Sequence, residues 1–186
     1  GIITVGRAPS IERQRFSIAH ELGHWAQDRG QVSVSCRPKD LTPFNLKDYK
    51  NDREAAANRF AVELLMPEYL FKEAARGLAA TMASASSLAR QFRVSLTAAA
   101  IRLVELGSFP AMVVCSNERG YRWSWRHPDI PTSVRVNRLI SKSSVASSLR
   151  SDASLVPPGP VTVDADEWVN HPGVEDYVVV EDSVRI

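Results

Sequence analysis

The segment His20-Glu21-Leu22-Gly23-His24 sets two imidazoles four residues apart, with a carboxylate directly after the first. On an α-helix, four residues return to within about 40° of the starting direction, so both rings project from one face and can share an ion at roughly 2.1 Å. The flanks, Arg15-Phe16-Ser17-Ile18-Ala19 and Trp25, hold no proline and suit a helix. Glu21 stands beside the imidazole pair, not between its members. A carboxylate there can take a proton from zinc-bound water, whose pKa the metal lowers toward about 7. The implied chemistry is hydrolysis by an activated water, with Glu21 as general base.

Two imidazoles leave such a centre short of a ligand, because a catalytic zinc takes three protein ligands and keeps one position for water. The next helical pattern runs from about Asp52 to Met66 and stops at Pro67, with Ala57, Phe60, Ala61, Leu64 and Leu65 on its apolar side. Counted from Glu54 at about 100° per residue, Asn58 falls about 40° away and Ala61 and Leu65 about 20° away, whereas Arg59 and Glu63 point the other way. Glu54 therefore borders the core-facing side and Glu63 faces solvent. An ionised carboxylate turned inward is costly unless paired, and a divalent cation is one of the few partners that would hold it there. Glu54 is the predicted third ligand. Asn58, one turn on, is placed to hydrogen-bond one of the histidine rings.

The bland alternatives are specific. Glu54 could instead pair with Arg13, Arg15 or Arg53. His127 and His171 are rival ligands, but each adjoins a proline in a loop-like segment, which suits a surface or structural role.

The elements that must position these groups fall in three zones: 1–75, with two helical patterns joined by a polar loop from Gln27 to Asn51; 76–110, alanine-rich and helical; and 111–186, rich in β signals. Within the second zone, Leu88 to Leu103 reads as a helix-turn-helix in which Ser95 caps the second helix, and Arg90, Arg93 and Arg102 supply local positive charge with no acidic residue between Glu73 and Glu105. Those three arginines are candidate contacts for a substrate or nucleic acid. A helical pair packed on the first zone, or docking of a substrate, is the favoured reading over DNA contact, since a basic surface without base-reading geometry is weak evidence.

In the third zone Ala111 to Cys115 and Tyr121 to Arg126 flank the turn Asn117-Glu118-Arg119-Gly120 and predict a hairpin. Tyr121, Trp123 and Trp125 share one face of it, suited to a small core in preference to a peptide-binding surface; were the hairpin to bind substrate, the interleaved Arg122 and Arg126 would favour an acidic partner. Ser141 to Ser154 and Pro157-Pro158-Gly159-Pro160 read as a linker or exposed loop, and Val178-Val179-Val180 as a last strand.

The bulk properties narrow the classes. With 186 residues and 44% hydrophobic composition the chain can bury one substantial core or two small ones. No run of about 18 apolar residues occurs, so no membrane partner is expected. Two cysteines, Cys36 and Cys115, suggest neither a disulfide framework nor a thiolate zinc cluster, which points to a reducing, cytoplasmic setting. A net charge of +2 does not by itself argue for nucleic acid. Gly1, followed at once by the strand-like Ile2 to Val5, reads as the interior of a longer chain whose first strand is suited to pair with an extended peptide.

Two blocks resemble the ImmA/IrrE family of zinc metallopeptidases: Arg15 to His24, similar to its active helix, and Glu54-Ala55-Ala56-Ala57-Asn58-Arg59-Phe60-Ala61-Val62-Glu63-Leu64-Leu65-Met66-Pro67, similar to its second block almost throughout. Weaker similarity continues through Leu88 to Ser95 and Ile101 to Gly107. The resemblance implies an α+β, zincin-like domain with an active-site helix and a second ligand helix, followed by a helix-turn-helix-like segment and a small β-rich region. It gives the glutamate matching Glu54 the role of completing a site of one zinc per chain, with manganese or another divalent ion as the alternative. It also implies a bacterial endopeptidase that cuts a helix-turn-helix repressor and so induces stress-response or mobile-element genes. The competing class is a non-proteolytic, zinc-containing regulator that binds DNA or a repressor through its basic helices. Trp25 departs from the family pattern, where a smaller aliphatic residue is usual.

Overall fold

The computed structural model describes residue 2, residues 10–27 and residues 53–186. The polar loop, Cys36 and the expected first strand lie outside these residues, except Ile2, which is almost fully exposed. Among the described residues, five α-helices precede the first of six short strands and a sixth helix falls between the third and fourth, an order compatible with an α+β chain. The chain divides into two compact units, Gly1–Arg76 with Leu88–Ala99, and Gly77–Ser87 with Ala100–Ile186.

The first unit is built on α1 (Ile11–Gln27) and α2 (Arg53–Leu65). Ser10 starts α1 as a side-chain cap, its Oγ accepting from the Arg13 amide at 3.2 Å, and Glu12 follows in the first turn. Its own backbone N–H and the Ser10 hydroxyl hold the Glu12 carboxyl below the usual carboxylate range. The buried face of α1 carries Ser17, Ala19, His20, Gly23 and His24, and that of α2 carries Ala55, Ala57, Asn58 and Ala61. Both faces are small or polar. Such faces bury little apolar area, but they let two backbones come close. Arg59 and Glu63 are exposed as expected, yet so is Leu64, which the helical spacing puts on the apolar side and which instead joins Ile18 and Leu22 along a shallow apolar groove. Trp25 is exposed too.

Pro67 does more than stop α2. It is the N-cap of a further helix, α3 (Glu68–Ala75), which the two helical patterns of the first zone do not include. A proline has no N–H to lose at a helix start, so one residue ends the first helix and opens the second. Phe71 on α3 is fully buried and packs its ring 5.2 Å from that of Phe92. Burying a side chain of that size contributes about 1.5–3 kcal/mol. Phe92 ends α4 (Met82–Phe92), and the turn at 93–95 leads into α5 (Leu96–Leu106), with the Ala98 amide donating to Ser95 Oγ as the cap predicts. Arg93 adopts a left-handed φ of 55° in that turn. Arg15 of α1 donates to the Phe92 and Arg93 carbonyls at 3.4 and 3.0 Å, satisfying the open end of α4.

The second unit holds three two-stranded antiparallel sheets. β1 (Met112–Asn117) and β2 (Gly120–Arg126) form the expected hairpin, with a bulge at Cys115/Ser116 and Gly120 at a φ of 99°. Trp125 is buried, as a core role requires, with Tyr121 and Trp123 half-buried. β3 (Arg135–Val136) pairs with β5 (Val169–Asn170), and β4 (Val161–Asp164) with β6 (Val178–Glu181), which is the expected last strand.

The Ser-rich stretch is a correction. Instead of an exposed loop it contains α6 (Val145–Ser151), capped by Ser144, whose Oγ accepts from the Ser147 amide at 3.1 Å. Ser144, Ser147 and Leu149 are buried. Serine hydroxyls here bond back to the helix's own carbonyls, as Ser148 does to Ser144 and Ser151 to Ser147, so a polar sequence loses little on burial. Residues 155–160 are irregular and mostly exposed, as their prolines suggest. Among the described residues no helix is long and apolar enough to cross a membrane.

Candidate metal centre

α1 and α2 bring three ligand side chains to one point. His20 Nε2 lies 3.1 Å from Glu54 Oε2, His24 Nε2 lies 3.3 Å from Glu54 Oε1, and the two Nε2 atoms are 3.1 Å apart. The rings meet edge to face, with centroids 4.7 Å apart. His20 and His24 are buried, while the Glu54 side chain keeps 24% of its exposure, so the cluster opens to solvent on the carboxylate's side.

The tautomer of His20 decides what this cluster wants. Its Nδ1 lies 2.8 Å from Oδ1 of the fully buried Asn58, a carbonyl oxygen that can only accept. Nδ1 therefore carries the proton, and a neutral His20 presents a lone pair at Nε2. That lone pair faces a carboxylate oxygen, another lone pair. Acceptors at this separation need positive charge among them, and one divalent ion would serve all three side chains at once. The spacing agrees. Ligands about 2.0–2.1 Å from a tetrahedral ion stand about 3.3 Å from one another, close to the 3.1–3.3 Å found here. His20, His24 and Glu54 form the group that could hold a metal among the described residues, and nitrogen-rich donors of this kind suit zinc better than magnesium or calcium.

The remaining sequence candidates divide. Glu21 is half-buried on α1, outside the converging trio. Arg15, a rival partner for Glu54, is engaged by the Phe92 and Arg93 carbonyls. His127 is buried with Nε2 donating to the Gly107 carbonyl at the end of α5 and Nδ1 accepting from the Asp129 amide, and His171 Nδ1 lies against the Pro172 carbonyl. Neither joins the cluster. Arg90 and Arg93 are exposed. Arg102 is a correction: it is buried, with Nη1 3.1 Å from Glu105 Oε2, so its charge is compensated within α5 and cannot serve as a surface contact. Arg126 likewise donates to the Pro131 and Val134 carbonyls, which removes it from a face for acidic partners and leaves Arg122 exposed.

Sequence reasoning missed Gly23. A Cβ there would stand 2.9 Å from Ala57 Cα, so α1 and α2 meet backbone to backbone at this residue. The available signal was a glycine inside a helical pattern, which costs about 1 kcal/mol against alanine and points to a packing reason.

Two helices that pool two imidazoles and a carboxylate define a class, a domain organised around a candidate divalent metal centre. The IrrE N-terminal-like domain, a peptidase family, matches residues 1–104, more than half of the chain. The chain belongs to this family, the ImmA/IrrE metallopeptidases. It is 29% identical over 121 residues to the radiation response metalloprotease IrrE of Deinococcus radiodurans, a match covering 62% of this chain and 34% of that protein. The chain thus spans about a third of the length of that relative.

Proposed function

We propose that this chain is a zinc-dependent endopeptidase with a zincin-like core, in which His20, His24 and Glu54 hold the metal and Glu21 is the general base. The observation that carries this reading is the meeting of two imidazoles and a carboxylate at 3.1–3.3 Å, with His20 fixed in its tautomer by Asn58. When bound, zinc would act as a Lewis acid and lower the pKa of a coordinated water. Asn58 holds His20 with Nδ1 protonated, so that Nε2 keeps its lone pair available for the metal. Glu21, next to His20 in sequence and half-buried, takes the proton from the attacking water on its carboxylate and returns it to the leaving amine nitrogen. The Glu54 carboxylate brings negative charge from the second helix and offers one oxygen to each imidazole.

The substrate we propose is a helix-turn-helix transcriptional repressor, whose cleavage induces stress-response or mobile-element genes. This extends the family membership and the radiation response named for the Deinococcus relative. The exposed Arg90 and Arg93 beside the α4–α5 turn are the proposed docking contacts. Incubation of the chain with the repressor encoded beside it, with and without chelator, tests the proposal. Chelator-sensitive appearance of two discrete fragments is the expected result. An intact repressor with metal present, together with salt-dependent DNA binding by the chain, would assign it to the regulators instead.

A further inference from the structure

Gly23 sits between the two imidazoles in sequence, and its neighbour across the helix pair, Ala57, sits between Glu54 and Asn58. The contact between these two small residues is therefore flanked on both helices by the groups of the metal centre. A Cβ built on Gly23 would lie 2.9 Å from Ala57 Cα, 3.0 Å from the Ala57 carbonyl oxygen and 3.1 Å from Phe60 Cβ. Two of these atoms are main chain and the third is the root of a side chain, so no rotamer change relieves the clash. Ordinary contact begins at 3.4 Å, so any side chain at 23 widens the helix pair locally by about 0.5 Å (from 2.9 to 3.4 Å). Ala57 and Ala61, one turn apart on α2 and each fully buried, put small side chains beside this contact.

We propose that Gly23 is a positioning residue that sets the bite of the metal centre. Without a side chain it lets α2 approach until a single carboxylate spans both imidazoles, at 3.1 and 3.3 Å. The spacing matches the short bonds of zinc and is too tight for a larger ion of the same charge. The inference rests on His20, His24 and Glu54 being the metal ligands. It adds that ion size is selected by a backbone contact, not by the ligands themselves.

The test compares wild type with Gly23→Ala, using zinc alone and cadmium alone as probes in competition with a chromophoric chelator. Cadmium shares zinc's filled shell and lack of geometric preference but forms longer bonds. In Gly23→Ala, zinc affinity is expected to fall about tenfold or more, the range found when groups supporting a ligand are disturbed. Cadmium affinity falls less, so the zinc-to-cadmium preference declines. Phe71→Leu, a buried change remote from the ligands in sequence, serves as the control: it lowers the unfolding temperature and leaves that preference unchanged. If Gly23→Ala is unfolded without metal, metal-induced folding followed by circular dichroism gives the same comparison, with cadmium expected to fold it at lower concentration relative to wild type than zinc does. A folded variant with unaltered preference overturns the proposal, as does a variant that neither ion folds. Wild type that binds neither ion, or a Glu54→Gln variant that binds both as well as wild type, would instead defeat the underlying metal reading.

Discussion

Glu54 and Glu181 are two carboxylates drawn into the folded chain, one in each compact unit, and their surroundings differ in kind. Glu181 is 5% exposed and surrounded by donors: the Ala146 amide at the start of α6 at 2.8 Å, the Trp168 indole N–H at 3.1 Å and the Ser183 hydroxyl at 2.9 Å. Its negative charge is met by hydrogen bonds from its own unit, and it ties α6, β6 and the chain before β5 together. Glu54 instead points its oxygens at two imidazole Nε2 atoms, and the nearer one belongs to a ring whose only proton in the neutral form is committed to Asn58. A carboxylate ringed by donors is a structural staple. A carboxylate set against two imidazole nitrogens is the donor set of a metal site, and that difference is more informative than burial alone.

The comparison breaks most visibly at the ligand itself. Glu54→Gln, which keeps shape and removes charge, is expected to weaken zinc binding by about 100-fold or more, measured by chelator competition, because coordination requires the anionic donor. The matching change at the other carboxylate, Glu181→Ala, is expected to leave zinc affinity intact. It should cost about 2–4 kcal/mol in urea unfolding, since three donors lose a charged acceptor. Were Glu181→Ala to abolish metal binding while Glu54→Gln spared it, the two roles would be reversed.

Next in size is the effect on chemistry. Glu21→Gln should retain zinc yet reduce repressor cleavage by about 10²–10⁴-fold, because a carboxamide cannot accept the proton. Asn58→Ala sharpens the contrast from the supporting side. It frees the His20 tautomer, and zinc affinity should drop about 10–100-fold while the three ligands stay in place.

The smallest expected effect belongs to the hairpin. Burial pushes the Cys115 thiol above its ordinary range, with Arg122 opposing the shift. The folded state thus keeps the proton at pH values where the unfolded chain gives it up. The stabilising contribution is full below the ordinary thiol pKa of about 8.5 and is lost as pH rises through the folded value. Urea unfolding of wild type and Cys115→Ala at pH 7 and pH 10 checks this. Wild type should lose slightly more stability than the variant over that interval, and equal losses would remove the claim.

Much of the centre could be read from the sequence because it obeys one number, the 100° step of an α-helix. That step alone aligns His20 with His24 and Glu54 with Asn58, and the structure brings those four side chains together. What it could not give is distance. The Gly23–Ala57 contact depends on two helices from separate parts of the chain, and nothing in either segment's periodicity encodes how closely they pack. Composition misled in the Ser-rich stretch, where hydroxyls that usually mark loops cap and line α6. Arg102 misled for a related reason: its charge is read from the sequence, but its burial beside Glu105 is set by packing. The α+β order was legible because helical spacing gives way to alternating aromatic and polar residues near position 111.

If His20, His24 and Glu54 jointly bind one divalent ion, X-ray absorption at the zinc edge, on the chain loaded with one equivalent of zinc, tests that most directly. Two imidazole nitrogens and light oxygen ligands are expected at about 2.0–2.1 Å, with one imidazole contribution lost in His24→Ala. A sulfur shell at about 2.3 Å, or a spectrum that His24→Ala and Glu54→Gln leave unaltered, would contradict it.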